Sequence, residues 1–144
     1  MQIKIKENQV DDAVKVSLQI PEFEKPYQKE EYEKRLKNCK HLVLVAYDKN
    51  TPVGFKIGYE REKGSFYTWM GGVLPKYRKH GVAKELAKKQ EAWAKEQGYK
   101  LIKLKTRNKY KSMLQFAISS GFNITCVEEI NDVENYRILL EKKI

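Results

Sequence analysis

Three strongly apolar runs follow one another with only three residues between them: His41–Tyr47, Thr51–Arg61 and Ser65–Leu74. Connections that short permit only antiparallel neighbours, because a parallel return needs a crossover of a dozen or more residues. Asp48-Lys49-Asn50 and Glu62-Lys63-Gly64 supply the turn-forming residue types. The centre of the chain is therefore expected to be an antiparallel meander. The segment after it changes period: Val82, Leu86, Trp93 and Ala94 share one helical face, and Gly98 suits the C′ position. Lys100–Arg107 then resumes a strand. A helix between Ser65–Leu74 and Lys100–Arg107 makes those two strands parallel.

The flanks extend this frame. Gln2–Lys6 alternates polar and apolar residues as a half-buried strand does, and Asn8 is placed to cap a helix over residues 9–20 that Pro21 ends. Pro26 can open a second helix running to about Asn38, with Glu30/Lys34 and Glu33/Lys37 at i,i+4. Tyr110–Ser120 reads as a helix closed by Gly121, and Phe122–Ile130 with Asn135–Lys142 as a final hairpin. The expected order is β-α-α-β-β-β-α-β-α-β-β. That makes a single α/β domain over residues 1–144, with a mixed, largely antiparallel sheet flanked by helices. A chain of 144 residues can bury a substantial core, and 41% hydrophobic with 33% charged residues excludes wholesale disorder.

The net charge of +10 is concentrated. Residues 76–111 hold thirteen Lys/Arg against three Glu, so this segment carries the whole excess and the rest of the chain balances. Such a field steers polyanions. Cys39 and Cys126 lack metal-ligand spacing, so no metal site is expected and a reducing cytoplasm is the simplest compartment. Lys4 and Lys6 interrupt any signal-peptide pattern, and there is no membrane-length apolar run.

Val73-Leu74-Pro75-Lys76-Tyr77-Arg78-Lys79-His80-Gly81-Val82-Ala83-Lys84 joins the end of a strand to the start of a helix through a basic loop. A helix N-terminus offers unpaired N–H groups and the positive end of the dipole, which favours phosphate. Gly81 lets backbone approach a ligand, while Arg78, Lys79 and Lys84 add charge. The segment is built to hold a polyphosphate. Neither a Walker A loop nor a dinucleotide fingerprint occurs.

Arg78-x-x-Gly81-x-Ala83 resembles the (Gln/Arg)-x-x-Gly-x-(Gly/Ala) signature of the GNAT acyl-CoA-dependent N-acetyltransferases. Its setting also fits: a strand before it, a helix after it, then a strand, Asn108, and a helix ending Gly121-Phe122. The resemblance implies acetyl-CoA as co-substrate, with the amides of Lys79, His80, Gly81, Val82 and Ala83, together with Lys84, on the pyrophosphate. Arg78 is available for further phosphate contacts. In that family the two parallel strands splay, so the backbone of Gly72, Val73 and Leu74 would pair with the pantetheine arm. Gly71-Gly72 would clear the path of the acyl chain, and Asn108 would bond the pantetheine or acetyl region.

The implied reaction is direct transfer of an acetyl group to a primary amine of a small molecule or a peptide. Many members protonate the leaving thiolate with a Tyr four residues before the Gly of Gly-Phe, and here that position is Ala117. Tyr67 is the expected substitute, with Tyr110 or a water as alternatives. Glu24 is the expected base, ahead of Glu22 and Glu60. Tyr67 and Trp69 are expected on one strand face, and Phe66, Thr68 and Met70 on the other, so that one aromatic face walls the acceptor pocket. The readings set against this one are an acyl-CoA-binding GNAT protein without catalysis and, less favoured, a basic nucleic-acid-binding module. No membrane partner is expected. The sequence does not fix the oligomeric state, for which a homodimer is one expectation.

Overall fold

Both faces of the second strand are buried, and this dictates the layering around it. Leu42, Leu44 and Ala46 belong to one core cluster, whereas Val43, Val45 and Tyr47 belong to another. An unbroken apolar run is what a strand covered on both sides requires. The computed structural model describes residues 1–144. Its strands are β1 (Ile3–Glu7), β2 (His41–Asp48), β3 (Thr51–Glu62), β4 (Ser65–Val73), β5 (Leu101–Arg107), β6 (Asn123–Glu128) and β7 (Arg137–Lys143). Its helices are α1 (Val10–Ser17), α2 (Lys29–Leu36), α3 (Val82–Glu96) and α4 (Lys111–Ser119), with 3₁₀ turns at Pro75–Tyr77 and Val133–Asn135. Helix α2 begins three residues beyond Pro26, since the chain stays irregular through Gln28.

The strands form one seven-stranded sheet in the order β1-β2-β3-β4-β5-β7-β6. All neighbours are antiparallel except β4 and β5. The expected meander and the expected parallel pair are both present. Helices α1 and α2 pack on one face with Phe55 and Ile57 of β3. On the other face α3 meets Phe66 and Val73 of β4, and α4 lies over Leu104, Ile138 and Leu140.

Two irregularities position the site. The parallel ladder holds only from Ser65↔Leu101 to Thr68↔Leu104, although β4 continues to Val73 and β5 to Arg107. Beyond Thr68 the two strands part. A bulge against β3 lies at the same level, because Gly58 pairs with Thr68 and Ile57 with Met70, leaving Trp69 unpaired. The extra residue breaks the period of two. Trp69 and Met70 therefore both pack against the α1/α2 cluster, which corrects the expected placing of Met70 with Phe66 and Thr68.

Candidate active site

The parting of β4 from β5 opens a wedge whose upper end leads into the basic loop. Pro75–Tyr77 makes one 3₁₀ turn, after which Lys79 (φ 64) and Gly81 (φ 81) both adopt left-handed backbone before α3 begins at Val82. At Gly81 a Cβ would meet nothing within 4 Å, so the glycine answers to the dihedral rather than to lack of space. No backbone N–H from Lys79 to Lys84 has an acceptor within the protein; the first bond of the series is Glu85 N–H to the Gly81 carbonyl at 3.0 Å. Val82 is buried and anchors the helix, while Lys79, His80, Ala83 and Lys84 are exposed. The loop thus presents a row of unpaired donors at a helix N-terminus amid positive charge, the arrangement that suits a polyphosphate.

Along β4 the backbone alternates in what it offers. The Leu74 N–H bonds the Val53 carbonyl at 2.9 Å and its carbonyl accepts from Tyr77 N–H at 2.8 Å, so Leu74 has no backbone group left for a ligand. This corrects the expectation for Leu74. By the alternation of an antiparallel ladder, Gly72 likewise faces β3 at Phe55, and Gly71 and Val73 face the wedge. The glycine at 72 has another cause. A Cβ there would lie 2.2 Å from Ile20 Cδ1, so Gly72 makes room for the chain leaving α1 and does not clear a path for a ligand.

Arg78 also departs from expectation. Its Nε donates to the Val73 carbonyl at 2.9 Å, and Nη1 and Nη2 grip Glu22 Oε2 and Oε1 at 3.0 and 2.9 Å. Such a two-pronged pair fixes geometry as well as charge. The guanidinium is a strut from the loop to the α1–α2 connection, and the bond from Arg78 holds the Glu22 carboxyl below the usual range. Asn108 is tied down in a similar way: its Nδ2 donates to the Val133 carbonyl at 3.0 Å and its Oδ1 accepts from Lys111 at 2.8 Å. Both ends of that side chain are engaged within the protein, which leaves a single Nδ2 hydrogen for any other partner.

The wedge narrows to a cavity of about 30 Å³ at its apex. Thr68 and Leu104, the last paired residues of β4 and β5, line it together with Lys56 of β3, Gln90 of α3, and Phe116 and Ala117 of α4. Ala117 is 1% exposed, and no phenol reaches this point. Gln90 is 2% exposed and its Nε2 has no partner. The sequence reading passed over both Lys56 and Gln90. The available signal was a lysine in the middle of a central strand between Phe55 and Ile57, where a charged side chain has no ordinary reason to be.

The opposite face of β4 carries an aromatic cluster. Trp69 lies 5.2 Å from Tyr32, 5.8 Å from Tyr59 and 5.8 Å from Tyr27, and Tyr59 lies 5.6 Å from Tyr67. Arg35 stacks 4.5 Å over Trp69, and Arg61 4.7 Å over Tyr67. Burial pushes the Tyr67 phenol up. Tyr67 and Trp69 do share a face, as expected, but Tyr67 is on this side and does not line the cavity beside Ala117. Tyr110 is exposed at the start of α4. Glu24 is exposed in the α1–α2 connection with no hydrogen-bond or ion-pair partner, and no contact joins it to Tyr67. No helix is long and apolar enough to cross a membrane.

The family model described as the acetyltransferase (GNAT) family matches residues 15–122. The chain belongs to that family. No curated protein sequence matches it. Among solved structures, it is similar to the ribosomal-protein-S18-alanine N-acetyltransferase from Escherichia coli, at 14% identity and TM-score 0.86, over 99% of this chain and 94% of that one. It is also similar to Ard1 from Thermoplasma volcanium, at 17% identity and TM-score 0.85, over 100% and 99% of the two chains. A GNAT family acetyltransferase from Elizabethkingia anophelis with acetyl-CoA bound matches at 19% identity and TM-score 0.79, over 99% and 98%.

Proposed function

We propose that the chain is an acetyl-CoA-dependent N-acetyltransferase that moves the acetyl group to a primary amine by direct attack. One observation carries this reading: beyond Thr68 the open edge of β4 leads, through Leu74 and the 3₁₀ turn Pro75–Tyr77, to the unpartnered amides of Lys79–Lys84. An extended arm ending in a pyrophosphate matches both parts at once, the arm as an added strand and the phosphates at the helix N-terminus. Coenzyme A has that shape, and the Elizabethkingia anophelis relative holds acetyl-CoA.

On this reading the loop amides, with Lys79, His80 and Lys84 around them, hold the pyrophosphate. Val73, whose backbone faces the wedge, orients the arm. A cavity of about 30 Å³ admits no more than the thioester end, so the arm itself occupies the open wedge. The acceptor enters from the aromatic side, past Tyr59, Tyr67 and Trp69. Its ammonium must lose a proton before it can attack, and Glu24 is an unpaired carboxylate free to take one. Small-molecule and peptide amines both fit the chemistry.

Calorimetric titration with acetyl-CoA, followed by thiol release against a panel of amines and peptide N-termini, tests the reading. Stoichiometric binding with release for at least one amine is expected, and absence of binding overturns the proposal. The lack of a phenol beside Ala117 favours a second reading in which acyl-CoA is bound and not turned over. Tight binding without any thiol release selects that one.

A further inference from the structure

The geometry points to Lys56 as the group that returns a proton to the departing coenzyme A sulfur, a role that rests on the acetyltransferase reading above. The neighbours of Lys56 on β3, Phe55 and Ile57, are each 0% exposed in the α1/α2 core, so Lys56 projects to the opposite face. Its stem runs past Gly71, where an added Cβ would lie 3.6 Å from Lys56 Cγ, so the two residues are in contact range. The amine ends at the cavity lined by Thr68 and Leu104, where the strands part, and by Ala117.

This ammonium has no hydrogen-bond acceptor and no ion-pair partner. The residue keeps some exposed surface, yet burial of its amine pushes the pKa down to about 8. The other ionisable groups on the cavity are Glu91 of α3 and Lys142 of β7, held to each other at 3.0 Å. The residues that β4, β5 and α4 turn toward it (Thr68, Ile102, Leu104, Met113, Phe116, Ala117) do not ionise near neutral pH. Lys56 is therefore the one unpaired titratable group there. With the orphan Nε2 of Gln90 it makes two donors that lack an acceptor, in a space where a thiolate would form.

The step balances. The acceptor nitrogen forms a bond to the thioester carbonyl carbon, and the C–S bond breaks with its electron pair passing to sulfur. The acceptor nitrogen, already neutral, sheds its second N–H proton to solvent as the amide forms. The Lys56 ammonium gives its proton to that sulfur, and the neutral lysine amine regains one from solvent. Because the acid must be protonated, turnover declines as pH rises through the Lys56 titration near 8.

Coenzyme A itself is the probe, read by the ultraviolet band of its thiolate. In the wild-type complex the bound thiol should titrate about one to three pH units lower than in Lys56→Met, since a cation within a few ångströms favours the anion. Lys56→Arg should retain the lowered titration, and Lys56→Gln repeats the loss should Lys56→Met not fold. With an amine acceptor in hand, Lys56→Met should lower kcat about 100-fold with little change in coenzyme A affinity, and should lose the alkaline fall. An acyl donor with an aryl thiol, which departs without needing a proton, should restore its rate. Coenzyme A that binds and titrates identically in wild type and Lys56→Met overturns the role of Lys56. Failure of wild type to bind coenzyme A at all overturns instead the acetyltransferase reading beneath it.

Discussion

The two faces of β4 meet different company. Toward α3, Phe66 is 0% exposed and packs its ring 5.2 Å from Trp93 and 5.3 Å from Tyr99, and further along the same face lies the cavity with Lys56 and Gln90. Toward α1 and α2, Tyr67 and Trp69 are half-buried, with arginines stacked on them and Tyr27 still 40% exposed. One face is a sealed core interrupted by unpartnered donors. The other is a half-buried aromatic cluster laid over the α1/α2 core. Under the proposed transfer this asymmetry suits the two substrates, one held in a fixed groove while the other comes and goes.

The contrast can be broken one side at a time. The largest effect is expected from Phe66→Ala, which empties a fully enclosed ring site and should cost about 3–5 kcal/mol of stability, read as a lower denaturant midpoint. Next, Gly81→Glu should reduce acetyl-CoA affinity by about 100-fold or more, by placing a carboxylate among the loop amides and straining a left-handed residue. The left-handed backbone strains any side chain however open the space, so the melting temperature should fall by about 3–10 °C without loss of the fold; an unchanged affinity by calorimetry would sink the phosphate-site assignment. On the other face, Trp69→Ala should raise the acceptor KM about tenfold while acetyl-CoA affinity holds, at the scale of one lost aromatic contact. Equal loss of both affinities would erase the distinction between the faces.

The smallest effect tests the strut that joins the sides. Arg78→Met should cost about 0.5–1 kcal/mol, since the pair with Glu22 is substantially exposed. The sign with pH follows from the depressed carboxyl. Its contribution is present above the ordinary carboxylate range and is lost as pH falls through the lowered folded value. The gap between wild type and Arg78→Met in urea titrations should therefore close on acidification; a gap that widens would contradict the bond from Arg78 as its cause.

Most of the frame was readable from local pattern. The run His41–Tyr47, the short turns and the helical period after Gly81 each act within a few residues, and the meander, the crossover and the parallel pair follow from them. The candidate site was readable where backbone geometry decides it, in the unpaired amides of Lys79–Lys84. It was misread wherever a distant partner decides. Arg78 reaches Glu22, Asn108 reaches Val133, and Gly72 accommodates Ile20, contacts that no spacing rule contains. The bulge at Trp69 defeated the alternation for Met70, because one inserted residue inverts everything after it. Lys56 was missed because a hydrophobic pattern registers a charge as a gap and does not say what the gap faces.

The short parallel ladder has a mechanical consequence. Only the pairs from Ser65↔Leu101 to Thr68↔Leu104 join β1–β4 to β5–β7 within the sheet, so the molecule is two smaller sheets sharing a brief seam. A ligand lodged between the parted strands would lengthen that seam with its own polar groups and act as a removable rung. Occupancy at 100 times Kd would add about 2.7 kcal/mol of stability by mass action. Amide exchange should slow most along the upper half of β4, at Gly71 and Val73, whose N–H groups face the wedge.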